Sequence, residues 1–115
     1  MDAASERKLL GLLGLGVRAR TALVGVEQVR HAAKRGKLVL AVVAPDASQN
    51  SRDKVMPLLR AKRVGVIEGP SAATLGAAVG RKATAAIGIV DRDLARGIRE
   101  IADQGARAAQ QEGRF

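Results

Sequence analysis

Leu9, Leu12 and Leu13 recur at the i, i+3, i+4 spacing of one helical face, and Ser5 and Glu6 stand where a cap and a first-turn acid belong. The pattern then changes. Residues 20–24, Arg-Thr-Ala-Leu-Val, read as a short strand, and Gly25 precedes a second helix with Val26, Val29 and Ala33 inward and Gly36 at its end. Leu38 to Ala44 is a continuous apolar run, the signature of a strand buried on both faces. After Pro45-Asp46, Ser48 or Ser51 caps a third helix with Val55, Leu58 and Leu59 inside, which Pro57 should kink or restart. Val64 to Ile67 reads as a second buried strand. Ser71 caps a fourth helix (Leu75, Ala78, Val79) that Gly80 ends, and Thr84 to Val90 gives a third strand. Asp91 caps a last helix with Leu94, Ile98 and Ile101 inside; from Gly105 the apolar stripe stops, and residues 105–115 are expected to fray.

Strands alternating with helices imply an α/β chain with helices on both faces of its sheet. The expected architecture is a three-layer α-β-α sandwich around a small mixed, largely parallel sheet, as one domain over residues 1–104. Residues 38–44, 64–67 and 84–90 are expected as neighbouring central strands. Gly11, Gly14 and Gly16 weaken the first helix by propensity, so they should serve close packing.

Composition narrows the function. Only Phe115 is aromatic, so Val, Leu, Ile and Ala must fill the core. Twenty Lys and Arg face 11 acids, for a net charge of +9, which points to a polyanion partner and above all nucleic acid. The basic residues have no aromatic neighbours to suit a membrane surface, and no segment approaches the roughly 20 apolar residues that span a bilayer. Without cysteine there is no disulfide, thiolate nucleophile or thiolate zinc site. The first residues do not resemble a secretory signal, and a cytoplasmic location is the default expectation.

Candidate chemistry mostly falls away. Gly14-x-Gly16-x-x-Ala19 fits a dinucleotide fingerprint but follows a leucine-striped helix instead of a strand, and no acid follows about 20 residues on. Gly76 to Lys82 has the wrong spacing for a phosphate loop and lies at a helix end. His31 is the single histidine, Asp46 reads as part of a turn and cap, and no carboxylate pair stands out. Neither a catalytic centre nor a metal or cofactor is expected. Lacking aromatic platforms, a nucleic-acid binder of this composition must use a helix end, backbone amides and Arg, Lys and amide side chains, which suits folded RNA.

The second helix carries those groups. Gln28, His31 and Arg35 share one outer flank, and Glu27, Arg30 and Lys34 share another. The segment Gly25-Val26-Glu27-Gln28 through Lys34-Arg35-Gly36 and the apolar strand into Pro45-Asp46-Ala47-Ser48 resembles the ribosomal L-seven-Ae/L-thirty-e superfamily. Arg18-Ala19-Arg20, Val66-Ile67-Glu68 and Leu75-Gly76-x-Ala78-x-Gly80 extend the likeness from about Leu9 to Val90, and the small bacterial YlxQ-type members are most alike.

That resemblance implies an α-β-α sandwich that binds kink-turn or related RNA without enzymatic activity. It implies an RNA surface at Gly25, Val26, Glu27, Gln28 and His31, with Arg18, Arg20, Lys34 and Arg35 as basic contacts and Glu68, Gly69 and Pro70 on a second loop. Kink-turn binders begin this helix Gly-x-Asn-Glu, with Lys three residues after the Glu; here Glu27, Gln28 and His31 occupy those places. Glu27 accepts hydrogen bonds but cannot donate, whereas Gln28 does both. The expected partner is structured RNA, ribosomal RNA included, with ribosome or translation factors alongside and a monomeric chain. A protein-interaction module that keeps only the fold is the alternative. An enzyme, or the detached recognition domain of an RNA-modifying enzyme, fits least.

Overall fold

Asp2, rather than Ser5, starts the first helix: its carboxylate accepts the Ser5 N–H at 2.9 Å, and hydrogen bonding to Ser5 holds the Asp2 carboxyl below its ordinary value. Ser5 lies one turn inside and is buried. The computed structural model describes the backbone of residues 1–112 and the side chains of residues 1–104. Its elements are α1 (Ala3–Arg18), β1 (Ala22–Val24), α2 (Val26–Lys34), β2 (Leu40–Val43), α3 (Gln49–Ala61), β3 (Gly65–Glu68), α4 (Ala72–Ala78), β4 (Ala86–Ile89) and α5 (Arg92–Glu112). Ser48, Ser71 and Asp91 cap α3, α4 and α5. Pro57 sits inside α3 without dividing it. The backbone of α5 stays helical to Glu112, past Gly105, where the stripe ends; residues 113–115 of the expected tail lie outside the described residues.

The strands form one mixed sheet in the order β1-β4-β2-β3. It is not largely parallel. Only β2 and β3 run parallel; β4 is antiparallel to both β1 and β2. The reason lies in α4. A parallel crossover needs a helix to carry the chain back to the far end of the sheet, but α4 has 7 residues and the chain then doubles back through Gly80. Thr84 N–H reaches Ala72 O, at the start of α4, at 3.0 Å, so β4 enters from the end that the chain had just left. The second correction concerns β3. It is an edge strand with Gly65 and Glu68 exposed and Val66 and Ile67 half-buried, not a buried central strand. Of residues 38–44, Leu40–Val43 form the strand and Val39 is only half-buried, while Leu40, Ala41, Val42, Val43 and Ala44 are all within 1% of full burial, as expected of a central strand.

Alternation along β2 and β4 divides the core between the two faces. Leu40, Val42, Ile87 and Ile89 join Leu9, Leu13, Leu75 and Ile98 under α1, α4 and α5. Ala41, Val43 and Ala86 join Val29, Ala33, Val55 and Leu59 under α2 and α3. Burying each large side chain contributes about 1.5–3 kcal/mol. Small residues line the α2 side, and a Cβ at Gly88 would lie 2.5 Å from Leu38 Cδ1 and 3.3 Å from Val29 Cγ2. The glycines of α1 divide: a Cβ would meet Ala78 O at 3.0 Å from Gly14 and Leu94 Cδ2 at 2.6 Å from Gly16, whereas Gly11 has nothing within 4 Å. Gly14 and Gly16 are packing positions, as their place inside a helix implied.

Candidate functional site

The strand register gathers three helix starts at one end of the sheet. Val24, Val43 and Glu68 end β1, β2 and β3 there, and Ala86 begins β4 beside Val43. From this end the chain enters α2, α3 and α4. With strands about 4.8 Å apart, the start of α2 and the Gly69–Ser71 loop stand three spacings, roughly 14 Å, from each other. The two helices flank the sheet edge from opposite faces, because α2 packs in the Val29 cluster and α4 in the Leu75 cluster.

The start of α2 differs from the other four. Asp2, Ser48, Ser71 and Asp91 each accept a backbone N–H at the start of α1, α3, α4 and α5, whereas Gly25 provides α2 with no side-chain cap. Gly25 has φ 102°, ψ 157°, a backbone geometry open essentially only to glycine, and its own N–H donates to Ala86 O at 2.9 Å. That pairing aims the first turn of α2 outward. The N–H groups of Val26, Glu27 and Gln28 then have no carbonyl a turn earlier to meet, and the positive end of the helix dipole lies with them. Glu27 and Gln28 are exposed while Val29 is buried, so the two polar side chains rim this helix end. Together with Arg30, His31 and Lys34 they line an open depression of ≈ 500 Å³.

The second loop is more constrained than the sequence suggested. Gly69 N–H donates to Val43 O at 2.9 Å, and the Gly69-Pro70 peptide is cis. Pro70 is buried, and the Glu68 carboxylate is paired with Arg52 of α3. Of Glu68, Gly69 and Pro70, only Glu68 is exposed. Asp46 reaches across from the β2–α3 loop and accepts the Ala72 N–H at 2.8 Å, at the start of α4. Sequence reading placed Asp46 in a local turn and did not single out Arg52; nothing in their spacing reveals partners 26 and 16 residues away. Asp46→Ala should cost about 0.5–2 kcal/mol in urea unfolding, as loss of a helix cap does, while Ser71 still holds the Thr74 N–H.

The remaining expected contacts lie elsewhere. Lys34 and Arg35 are at the far end of α2, where Arg35 Nη1 approaches His31 Nε2 at 3.4 Å. At 1.5 Å per residue, Lys34 stands about 9 Å along the helix from Gln28. Arg18 ends α1 and Arg20 lies in the turn into β1, so they too lie toward the opposite end of the sheet. The structure therefore brings Gly25, Val26, Glu27 and Gln28 to one sheet end with Glu68 and Gly69, places His31 and Lys34 farther along α2 on the same depression, and sets Arg18, Arg20 and Arg35 apart. Among the described residues there is no group of three or more His, Cys, Asp or Glu able to hold a metal ion, and no helix is long and apolar enough to cross a membrane.

Residues 7–100 match the model of a family described as ribosomal protein L7Ae/L30e/S12e/Gadd45. Among solved structures, a Bacillus halodurans protein of unknown function is 31% identical, with a TM-score of 0.76 over 84% of this chain and 97% of that one. A Giardia lamblia 15.5 kD RNA-binding protein is 21% identical, with a TM-score of 0.74 over 90% of this chain and 89% of that one. No curated protein matches.

Proposed function

Because the chain belongs to the ribosomal protein L7Ae/L30e/S12e/Gadd45 family, we propose that it is a non-enzymatic RNA-binding protein and that the uncapped start of α2 is its reading head. The single observation that carries this reading is the missing cap. Four helices satisfy a first-turn N–H with a side chain; the fifth presents Val26, Glu27 and Gln28 unfilled, beside two polar side chains and at the same sheet end as the Gly69 loop. Backbone N–H groups there suit phosphate oxygens or base acceptors, and the Gln28 amide suits base edges. The fold shared with the Giardia RNA-binding protein supports the same partner class. The RNA is structured, kink-turn-like or ribosomal, and the setting is translation at or near the ribosome, in the cytoplasm, with the chain acting as a monomer.

Glu27 shapes the specificity. A carboxylate at this position lacks the donor that kink-turn binders carry as Asn, and it repels phosphate, so affinity for an ordinary kink-turn should be modest. Glu27→Asn is expected to strengthen binding to a hairpin with tandem sheared G·A pairs by about 0.5–1.5 kcal/mol, one net hydrogen bond. Filter-binding titrations against that hairpin, and against a control with the G·A pairs replaced by Watson–Crick pairs, check this. Failure of the native chain to bind either RNA at low salt would sink the proposal in favour of a protein-interaction module.

A further inference from the structure

The basic charge of this chain is not at the sheet end where α2 begins. The loops there, with the first turn of α2, carry Glu27, Asp46 and Glu68 against Arg81 and Lys82, and Arg52 and Asp53 at the start of α3 cancel. At the opposite end, where β1, β2 and β3 begin and β4 finishes, the balance is different. Arg18 and Arg20 flank the turn into β1, and Lys34, Arg35 and Lys37 flank the turn into β2. Arg60, Lys62 and Arg63 flank the turn into β3, and Arg92 follows β4. All nine are exposed, and among the described residues none of them is in a salt bridge. The acids at this end are Asp91, which caps α5, and Asp93, which stands 3.6 Å from Arg96.

Helix dipoles explain part of this. Arg18, Lys34 and Arg60 lie in the last turns of α1, α2 and α3, where cations are favoured. They do not explain Arg92, which starts α5 at the positive end of its dipole, or Lys37, three residues past the end of α2. The backbone adds an independent sign. Arg20 and Arg63 have φ of 63° and 55°, the left-handed conformation that glycine adopts at the corresponding position after α2, Gly36, at 69°. Arginine occupies two positions where the local fold prefers glycine. Strain of this kind persists where a side chain is needed for something other than folding.

We propose that this opposite end is a second RNA-binding face, which holds the phosphate backbone of a duplex stem without reading its sequence. Nine exposed cations within a few strand spacings reinforce one another over a Debye length and repel one another until a polyanion neutralises them. Among the described residues there is no aromatic side chain at this face on which unpaired bases could stack, so phosphates presented by a regular helix are the fitting ligand. With the reading head about one α2 length away, the protein can join a structured RNA element to a second stem. This inference depends on RNA being the ligand, and not on Gln28 or Glu27 being the residues that read it.

The test uses a plain RNA duplex of Watson–Crick pairs as the probe, titrated at several salt concentrations. Lys37→Glu/Lys62→Glu/Arg92→Glu should weaken duplex binding at least tenfold and flatten the log–log salt slope by up to about three units, roughly 0.9 for each lost phosphate contact. The full chain with Arg20→Gly/Arg63→Gly should melt a few degrees higher, because the strain is relieved, yet bind the duplex more weakly. A purely structural role for these arginines cannot move stability and affinity in opposite directions. Duplex affinity and slope unchanged in both variants would overturn the second face and leave it to an acidic protein partner. In the native chain, tight duplex binding with a steep salt slope but no preference for sheared G·A pairs counts against the α2 reading head and supports this face.

Discussion

Ile87→Ala is expected to lower the folding free energy by about 2–5 kcal/mol, read as a fall in the urea midpoint with an unchanged slope. Ile87 is 0% exposed on β4, which pairs with β1 on one side and β2 on the other. Its side chain lies in the cluster formed with Leu9, Leu13, Leu75 and Ile98 from three different helices. Removing it leaves a cavity that three helices would have to close together, and among the described residues there is no aromatic side chain to swing in. A domain of this size has on the order of 6–17 kcal/mol of stability, so the loss is a large fraction of the whole. A change at half-buried Val66, on edge strand β3, should cost less, since solvent already reaches it. Equal losses at the two positions would contradict the assignment of β4 to the interior and β3 to the edge.

The contrast between these strands marks how far the sequence could be read. Hydrophobic periodicity reports element type, and it located every helix and strand because apolar spacing is a local property, but it overstated the burial of β3. It does not report direction. Val64–Ile67 and Thr84–Val90 both read as apolar runs, but one became a parallel edge strand and the other an antiparallel central one, decided by a seven-residue α4 that doubles back. Caps show the same limit at shorter range. Ser48, Ser71 and Asp91 act where they were expected, whereas α1 is capped by Asp2, because a Ser one turn later can be buried inside the helix instead. At the candidate site, Gly25 and its outward first turn were legible, since few residues other than glycine fit such a start. Burial of Pro70 and the pairing of Glu68 with Arg52 were not, because both depend on which helix the fold lays beside the loop. The same holds for charge: +9 is visible in the sequence, but the strand register determines that most of it lies away from the start of α2.

That separation gives Gln28 its own test. If base reading and phosphate holding are on different ends of the sheet, Gln28→Ala should cost about 1–3 kcal/mol for the hairpin with sheared G·A pairs and little for its Watson–Crick control. The salt slope should stay as it is, because no charge is lost. Stability will not confound the measurement: Gln28 is exposed in the first turn of α2, its side chain makes no hydrogen bond among the described residues, and alanine is the better helix former. Combining Gln28→Ala with Glu27→Asn sharpens the result. The two side chains are neighbours at one helix end. If both meet the same G·A element, the gain from the donor that Glu27→Asn adds should shrink once Gln28 no longer fixes the base, and their effects should couple by about 0.5 kcal/mol or more. Strict additivity, with discrimination the same in all four chains, would mean that the uncapped start of α2 holds backbone phosphate only and that the bases are read elsewhere.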